Sequence, residues 1–394
     1  MPNKVKKSQI IRLLFKSRKG LLQTKRYNKK AKEFWKVKES QMIDELIELL
    51  AEKNANLLRM NRGFVRRIGF PELSCSLGEI EELRKIINIF GEDLVISDLV
   101  KYMTRTGFLT MVIAPGLAAA EGMGDVHRRD LEEWLYGIAI CLPVCADVCD
   151  LILDEEVLKH SLIPYSSWLI AHKMGATLLF YISLKHTDEI KHCGKNIKRR
   201  IIKRLNDGLN RVCEKQKLDM RAKENPKISF RAIESIYEGK ICEIEATVFG
   251  TIPSKKIDLV QTFEEGAKNF AGEMQIVDDI EDLLGDENLG KEPEIPNPSF
   301  FLAYCIDAWN KGERDLEEIM KVAAERTLER GERYHQKVLE AFDGLPKKFP
   351  TKPFFNVTLW YFNQVLKDKV KKFLKGDTFE ILEPKLEELL KRLK

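Results

Sequence analysis

From Ser40 onward, apolar residues recur every three or four positions, the spacing at which one face of a helix turns toward a core. The pattern predicts helices over 42–58, 77–90, 96–102, 131–153, 168–184, 197–212, 230–248, 263–284, 300–309 and 316–342, with two more pieces before the C-terminus. No alternating run bounded by hairpin turns interrupts them. Loops are marked by Asn225-Pro226, by Ile252-Pro253 and by the proline-rich stretch 292–298, and no fixed-period repeat is present. The expected fold class is therefore all-α. One large antiparallel helical bundle spans 41–345, with an N-terminal arm over 1–40 and a C-terminal helical extension over 346–394.

Composition narrows the picture. With 394 residues, 44% hydrophobic and 32% charged, the chain has ample material for a core and is not of the disordered class. No uninterrupted apolar run reaches the roughly 18 residues of a membrane span. Stretches 135–148 and 162–184 carry polar interruptions and read as buried core helices. The N-terminus lacks an apolar block followed by a small-residue cleavage site, so the expected location is cytoplasmic.

Cys141, Cys145 and Cys149 fall on one helix stripe, and the other five of eight cysteines are scattered, which favours buried free thiols over a metal cluster. Residues 1–40 hold fourteen Lys or Arg against two Glu, interleaved with Leu13, Leu14, Leu21, Leu22, Phe34 and Trp35. Such an arm suits peripheral contact with an anionic membrane surface, or a solvated helix face. A nucleic-acid partner is not expected, because the whole chain carries only +5 and shows no binding module.

Two acidic clusters carry the candidate chemistry. On the helix ending near Gly285, Asp278 and Asp282 stand four residues apart and share a face, with Gln275 one turn earlier. Like charges at that spacing repel by a few tenths of a kcal/mol, so the face is either solvated or holds a cation between carboxylates. Upstream, Asp147, Asp150 and Asp154 again fall at spacings of three and four. They lie at the C-terminal end of an apolar helix, where negative charge opposes the helix dipole. Facing helices that each present carboxylates are how bundles build metal sites. Oxygen ligands without placed His or Cys point to Mg2+ and to a phosphorylated ligand with an apolar body.

Gln275-x-x-Asp278-Asp279-x-x-Asp282-x-x-Gly285-Asp286 resembles the second aspartate-rich motif of the polyprenyl synthetases, the trans-isoprenyl diphosphate synthases of the class I terpenoid fold, with Met274 where that family usually has phenylalanine. Asp147-x-x-Asp150 stands where the first motif belongs, Gln216-x-x-Asp219 resembles the family's Gln-x-x-Asp helix, and Lys240 and Lys291 resemble two of its diphosphate-binding lysines. The similarity covers about residues 100–305. It implies an isoprenoid-synthase bundle with central acidic metal sites, a homodimer, and an enzyme acting on an allylic prenyl diphosphate. Asp147, Asp150, Asp154, Asp278, Asp279 and Asp282 would hold two or three Mg2+ ions bridging the diphosphate. Lys240, Lys291, Gln275, Gln216, Arg105 and Lys159 would line the substrate, and Asp278, Asp279 and Lys240 would carry the catalytic role.

Against the family pattern, the allylic site is mostly retained and the isopentenyl diphosphate site is eroded. Ala146 replaces the first aspartate of the first motif, only Arg105 stands where a Gly-Lys-Arg run is usual, Lys159-His160 replaces an arginine pair, and Ile241 follows Lys240 in place of threonine. Three functions remain open. The first is prenyl transfer, to isopentenyl diphosphate or to a neutral acceptor that needs no phosphate-binding arginine. The second is cyclisation or hydrolysis from the same ionisation, and the third is a non-catalytic subunit of a prenyl synthase complex. In the family that the chain resembles, the residues just before the first motif floor the tail pocket; Cys141, Leu142 and Cys145 stand there rather than a bulky aromatic, so the resemblance implies room for a long prenyl tail.

Overall fold

Regular structure is helical throughout the described residues of the computed structural model, 7–90, 112–153, 165–224, 229–239, 241–285 and 291–392. The predicted helix 96–102 and four candidate site residues, Arg105, Asp154, Lys159 and Lys240, lie outside them. The helices are α1 (Lys7–Leu50), α2 (Asn54–Ile68), α3 (Leu77–Phe90), α4 (Ala114–Met123), α5 (Arg128–Leu153), α6 (Tyr165–Glu189) and α7 (Lys195–Glu224). They continue as α8 (Phe230–Gly239), α9 (Ile241–Gly250), α10 (Ile257–Leu284), α11 (Phe300–Asn310), α12 (Leu316–Asp343), α13 (Lys352–Phe373) and α14 (Phe379–Lys391). They form two compact units, one of residues 1–206 and 250–260, the other of residues 207–249 and 261–394.

In the first unit α5 packs along α6. By length and composition α5 could cross a membrane, with a mean hydropathy of 1.9, yet 72% of its most apolar window is buried inside the protein. A helix apolar on every side belongs in a core, and Trp134, Tyr136, Ile138, Ile140 and Leu142 are all buried. Gly137 permits the close approach of the two helices, since a Cβ there would lie 2.5 Å from Cβ of His186. The cysteines are free thiols, and Cys141 and Cys145 are buried as expected.

From Lys7 onward the basic arm is part of α1, which runs on to Leu50. Tyr27, Ala31, Trp35, Met42 and Leu46 are buried at helical spacing, and Arg26 and Lys30 reach Glu121 of α4 at 2.8 and 3.0 Å. Leu21, Leu22 and Val37 remain exposed. The predicted single helix over 42–58 is in fact two. α1 stops at Leu50 and α2 starts at Asn54, and from α3 Arg84 donates to the Glu52 carbonyl and to Oδ1 of Asn54, satisfying polar groups freed by the break.

The second unit is built on α11 and α12, which start at side-chain caps. Oγ of Ser299 accepts from the Leu302 amide at 3.0 Å, and Oδ1 of Asp315 accepts from the Glu318 amide at 3.1 Å. Phe300, Phe301, Ile319 and Met320 meet Leu366, Val370 and Phe373 of α13 and Leu382 of α14, and α10 adds Ile276, Val277, Ile280 and Leu283. Each such side chain contributes roughly 1.5–3 kcal/mol by burial. This fixes the rotation of α10 and therefore the direction of its acidic face. Glu273, fully buried one turn earlier, accepts from Nδ1 of His335 at 3.0 Å and from Nδ2 of Asn363 at 3.2 Å, tying α10 to α12 and α13.

Candidate functional site

With its apolar side turned into the second unit, α10 leaves Gln275, Asp278, Asp279 and Asp282 on the remaining arc. The structure grades these carboxylates by depth: Asp278 is exposed, Asp282 half-buried and Asp279 only 3% exposed. Gln275 pairs with Asp279, its Nε2 donating to Oδ1 at 3.1 Å. Oδ2 of Asp279 is buried without a hydrogen-bond partner. Burial, then the charges of Asp282 and Asp219, push the Asp279 carboxyl well above the usual carboxylate range. The helix reading of the motif thus holds, while its deepest acid is Asp279 rather than either member of the i, i+4 pair.

Asp219, on the C-terminal half of α7, is 3% exposed and lies 3.5 Å from Nζ of Lys223 one turn on. Its neighbour in the motif, Gln216, is also buried. Sequence reasoning noticed Asp219 only as part of a resemblance and did not place it among the site residues. The available signal was Lys223 four residues later, the spacing of an intrahelical ion pair.

The C-terminal end of α10 is closed by the segment that carries Lys291. Gly285 adopts φ +63°, and a Cβ there would sit 2.7 Å from the Lys291 carbonyl oxygen. The Glu294 amide donates to the Asp282 carbonyl at 2.8 Å. Lys291, exposed, is thereby held at the same end of the helix as Asp282.

The first cluster belongs to the first unit, where Asp147 and Asp150 are half-buried near the end of α5. Between them lies Cys149, whose thiol is pushed well up by its hydrogen bond with Cys145, by burial and by the two aspartates. Cys145 donates to the Ala176 carbonyl of α6 at 3.3 Å. One turn before Ala176, His172 stacks on Trp168 with ring centroids 3.3 Å apart, and burial lowers its imidazole to about 4.

Among solved structures, the chain is similar to the geranylgeranyl pyrophosphate synthetase from Pyrococcus horikoshii Ot3, with a TM-score of 0.55 at 15% identity over 86% of this chain and 99% of that one. It is likewise similar to the polyprenyl synthase from Caulobacter crescentus CB15 complexed with calcium and isoprenyl diphosphate, with a TM-score of 0.51 at 15% identity over 83% and 97%. The chain has the polyprenyl diphosphate synthase fold. The geranylgeranyl pyrophosphate synthetase from Geoglobus acetivorans shares that fold, with a TM-score of 0.52 at 14% identity over 85% and 98%. No family model and no curated protein sequence matches. Similarity to the polyprenyl diphosphate synthase fold therefore rests on the arrangement of helices, with the acidic motifs as this chain's own features.

Proposed function

We propose that the protein is a Mg2+-dependent prenyltransferase that ionises an allylic prenyl diphosphate, passes the prenyl group to an acceptor and releases diphosphate. The carrying observation is the group around Asp279, a buried carboxylate with one unpartnered oxygen beside Asp219 and Asp282. An all-oxygen donor set of this kind fits a hard divalent cation. Asp278, Asp279 and Asp282 would hold metal ions, and Asp147 and Asp150 are proposed as metal ligands too. Bound Mg2+ would supply the positive charge that stabilises the departing diphosphate.

The chain's own residues supply the rest. Asp279 would hold the metal in its ionised form, and Gln275 fixes the carboxylate by donating to its Oδ1. Lys291 adds a cation at the end of α10, and Lys240 is proposed for the same role. The apolar body of each unit keeps water from a hydrophobic cation. The reading extends to a cytoplasmic homodimer, with Leu21 and Leu22 of α1 available to a membrane surface. Light scattering and co-sedimentation with anionic vesicles test those two points.

The acceptor is decided by incubating the purified protein with Mg2+ and an allylic diphosphate, with and without isopentenyl diphosphate. Pyrophosphate release only with isopentenyl diphosphate identifies chain elongation. Release without it identifies a neutral acceptor, cyclisation or hydrolysis. No release at any chain length identifies a non-catalytic subunit and overturns the proposal.

A further inference from the structure

A second set of metal-capable side chains lies in the first unit, apart from both aspartate motifs. His127 immediately precedes α5, Asp130 sits in its first turn, and His192 lies in the turn between α6 and α7. One ligand atom from each lies within 4.8 Å of the other two. The two imidazoles stack with centroids 4.0 Å apart and an interplanar angle of 15°. Asp130 is fully buried. Its Oδ1 accepts from the Lys191 amide at 3.0 Å, the His192 amide at 3.0 Å and Nδ1 of His192 at 2.9 Å.

The structural role of Asp130 is to hold the turn at 191–193, through His192, Lys191 and Cys193. Oδ2 is buried with no hydrogen-bond partner, and an unpaired buried carboxylate oxygen is costly unless something neutralises it. The stacked ring of His127 brings a further nitrogen to the same place. Both rings are exposed, so an ion can enter and keep water as a remaining ligand.

We propose that His127, Asp130 and His192 form a site for a divalent transition-metal ion of the zinc class. Two imidazole nitrogens and a carboxylate oxygen are a borderline donor set that prefers zinc to magnesium. The ion clips the start of α5 to a turn 62 residues later in the chain, counted from Asp130 to His192. Because the three ligands come together only in the folded unit, binding stabilises that fold. The Hx2D arrangement and the remote histidine make this site independent of the diphosphate chemistry proposed above.

The test uses the full-length protein stripped with a chelator and then titrated with Zn2+ in excess Mg2+, followed by calorimetry and thermal unfolding. Co2+ serves as a visible-absorption probe of nitrogen ligation. One zinc per chain, a raised unfolding temperature and a Co2+ visible band are expected. His127→Ala and His192→Ala should each weaken zinc binding by more than about tenfold, the lower bound for losing even an outer-sphere partner. His127 is exposed, so circular dichroism of His127→Ala should match the native chain. Asp279→Asn should bind zinc as the native chain does. Absence of zinc binding in excess Mg2+, native-like affinity in His127→Ala, or loss of binding only in Asp279→Asn would each overturn the proposal.

Discussion

Gln275 donates its side-chain amide to Oδ1 of Asp279, and the second oxygen of that carboxylate is buried without a partner. The folded protein therefore holds this group more readily protonated than charged. The unfolded chain ionises it in the ordinary aspartate range, while the folded chain does so only at higher pH. Between those limits the unfolded state binds fewer protons, so Asp279 makes the metal-free protein less stable as pH rises. Asp279→Asn should make the metal-free protein more stable above the ordinary aspartate range, because the neutral amide removes the charge that burial and the neighbouring carboxylates oppose, while abolishing turnover. Denaturant unfolding at neutral pH measures the first effect, and loss of stability in the variant would contradict it.

Metal binding at this group should release a proton. Apparent Mg2+ affinity should rise with pH from the ordinary aspartate range up to the raised value of Asp279, and flatten above it. Calorimetry in buffers of different ionisation enthalpy reads the proton directly. Asp279→Asn should show no such release, whereas exposed Asp278 replaced by Asn should retain it.

Gly285 and Lys291 test the closure of α10. In Gly285→Ala, the left-handed conformation alone costs about 1–2 kcal/mol. The new methyl would also meet backbone atoms of Lys291 and Pro293 at 2.7 and 2.8 Å. Both destabilisation and a raised KM for the allylic diphosphate are expected. Lys291→Ala should raise KM with stability unchanged, because its side chain is exposed. Thermal unfolding beside steady-state kinetics separates the two.

His186 of α6 lies between Glu45 of α1, at 3.1 Å, and Glu133 of α5. Burial opposes the charged imidazole, but hydrogen bonds to Glu45 and Glu133 outweigh it and raise its affinity for a proton. Burial likewise opposes the Glu45 carboxylate, and bonds from His186 and Gln41 outweigh it, lowering Glu45 to about 2. The His186 contribution is complete below the ordinary imidazole value and lost as pH rises through the raised one. That of Glu45 is complete above the ordinary carboxylate range and lost as pH falls toward about 2. Stability should peak at mildly acidic pH, and His186→Gln should cost about 1.5–3 kcal/mol there and flatten the alkaline side of the profile.

What the sequence made legible was local. The 77–90 periodicity became α3 residue for residue, and the acidic helix ends at Leu284, where Gly285 stops it. The break after Leu50 was invisible because Ala51-Glu52-Lys53 contains no strong helix breaker and its support comes from Arg84 on another helix. In the site, spacing put Asp278 and Asp282 on one face but could not show that Asp279 is the buried member. Burial depends on which residues of α11 to α14 pack beneath α10. The His127, Asp130 and His192 group escaped for the same reason, since nothing local joins positions so far apart in the chain.

The most direct measurement is pyrophosphate release from geranylgeranyl diphosphate by the purified protein in Mg2+, compared among the native chain, Asp278→Ala and Asp279→Asn. Release by the native protein that stops on chelation and is lost in both variants is the expected result. Native protein that releases no pyrophosphate from any allylic chain length, or variants as active as the native chain, would contradict a diphosphate-ionising role for the α10 aspartates.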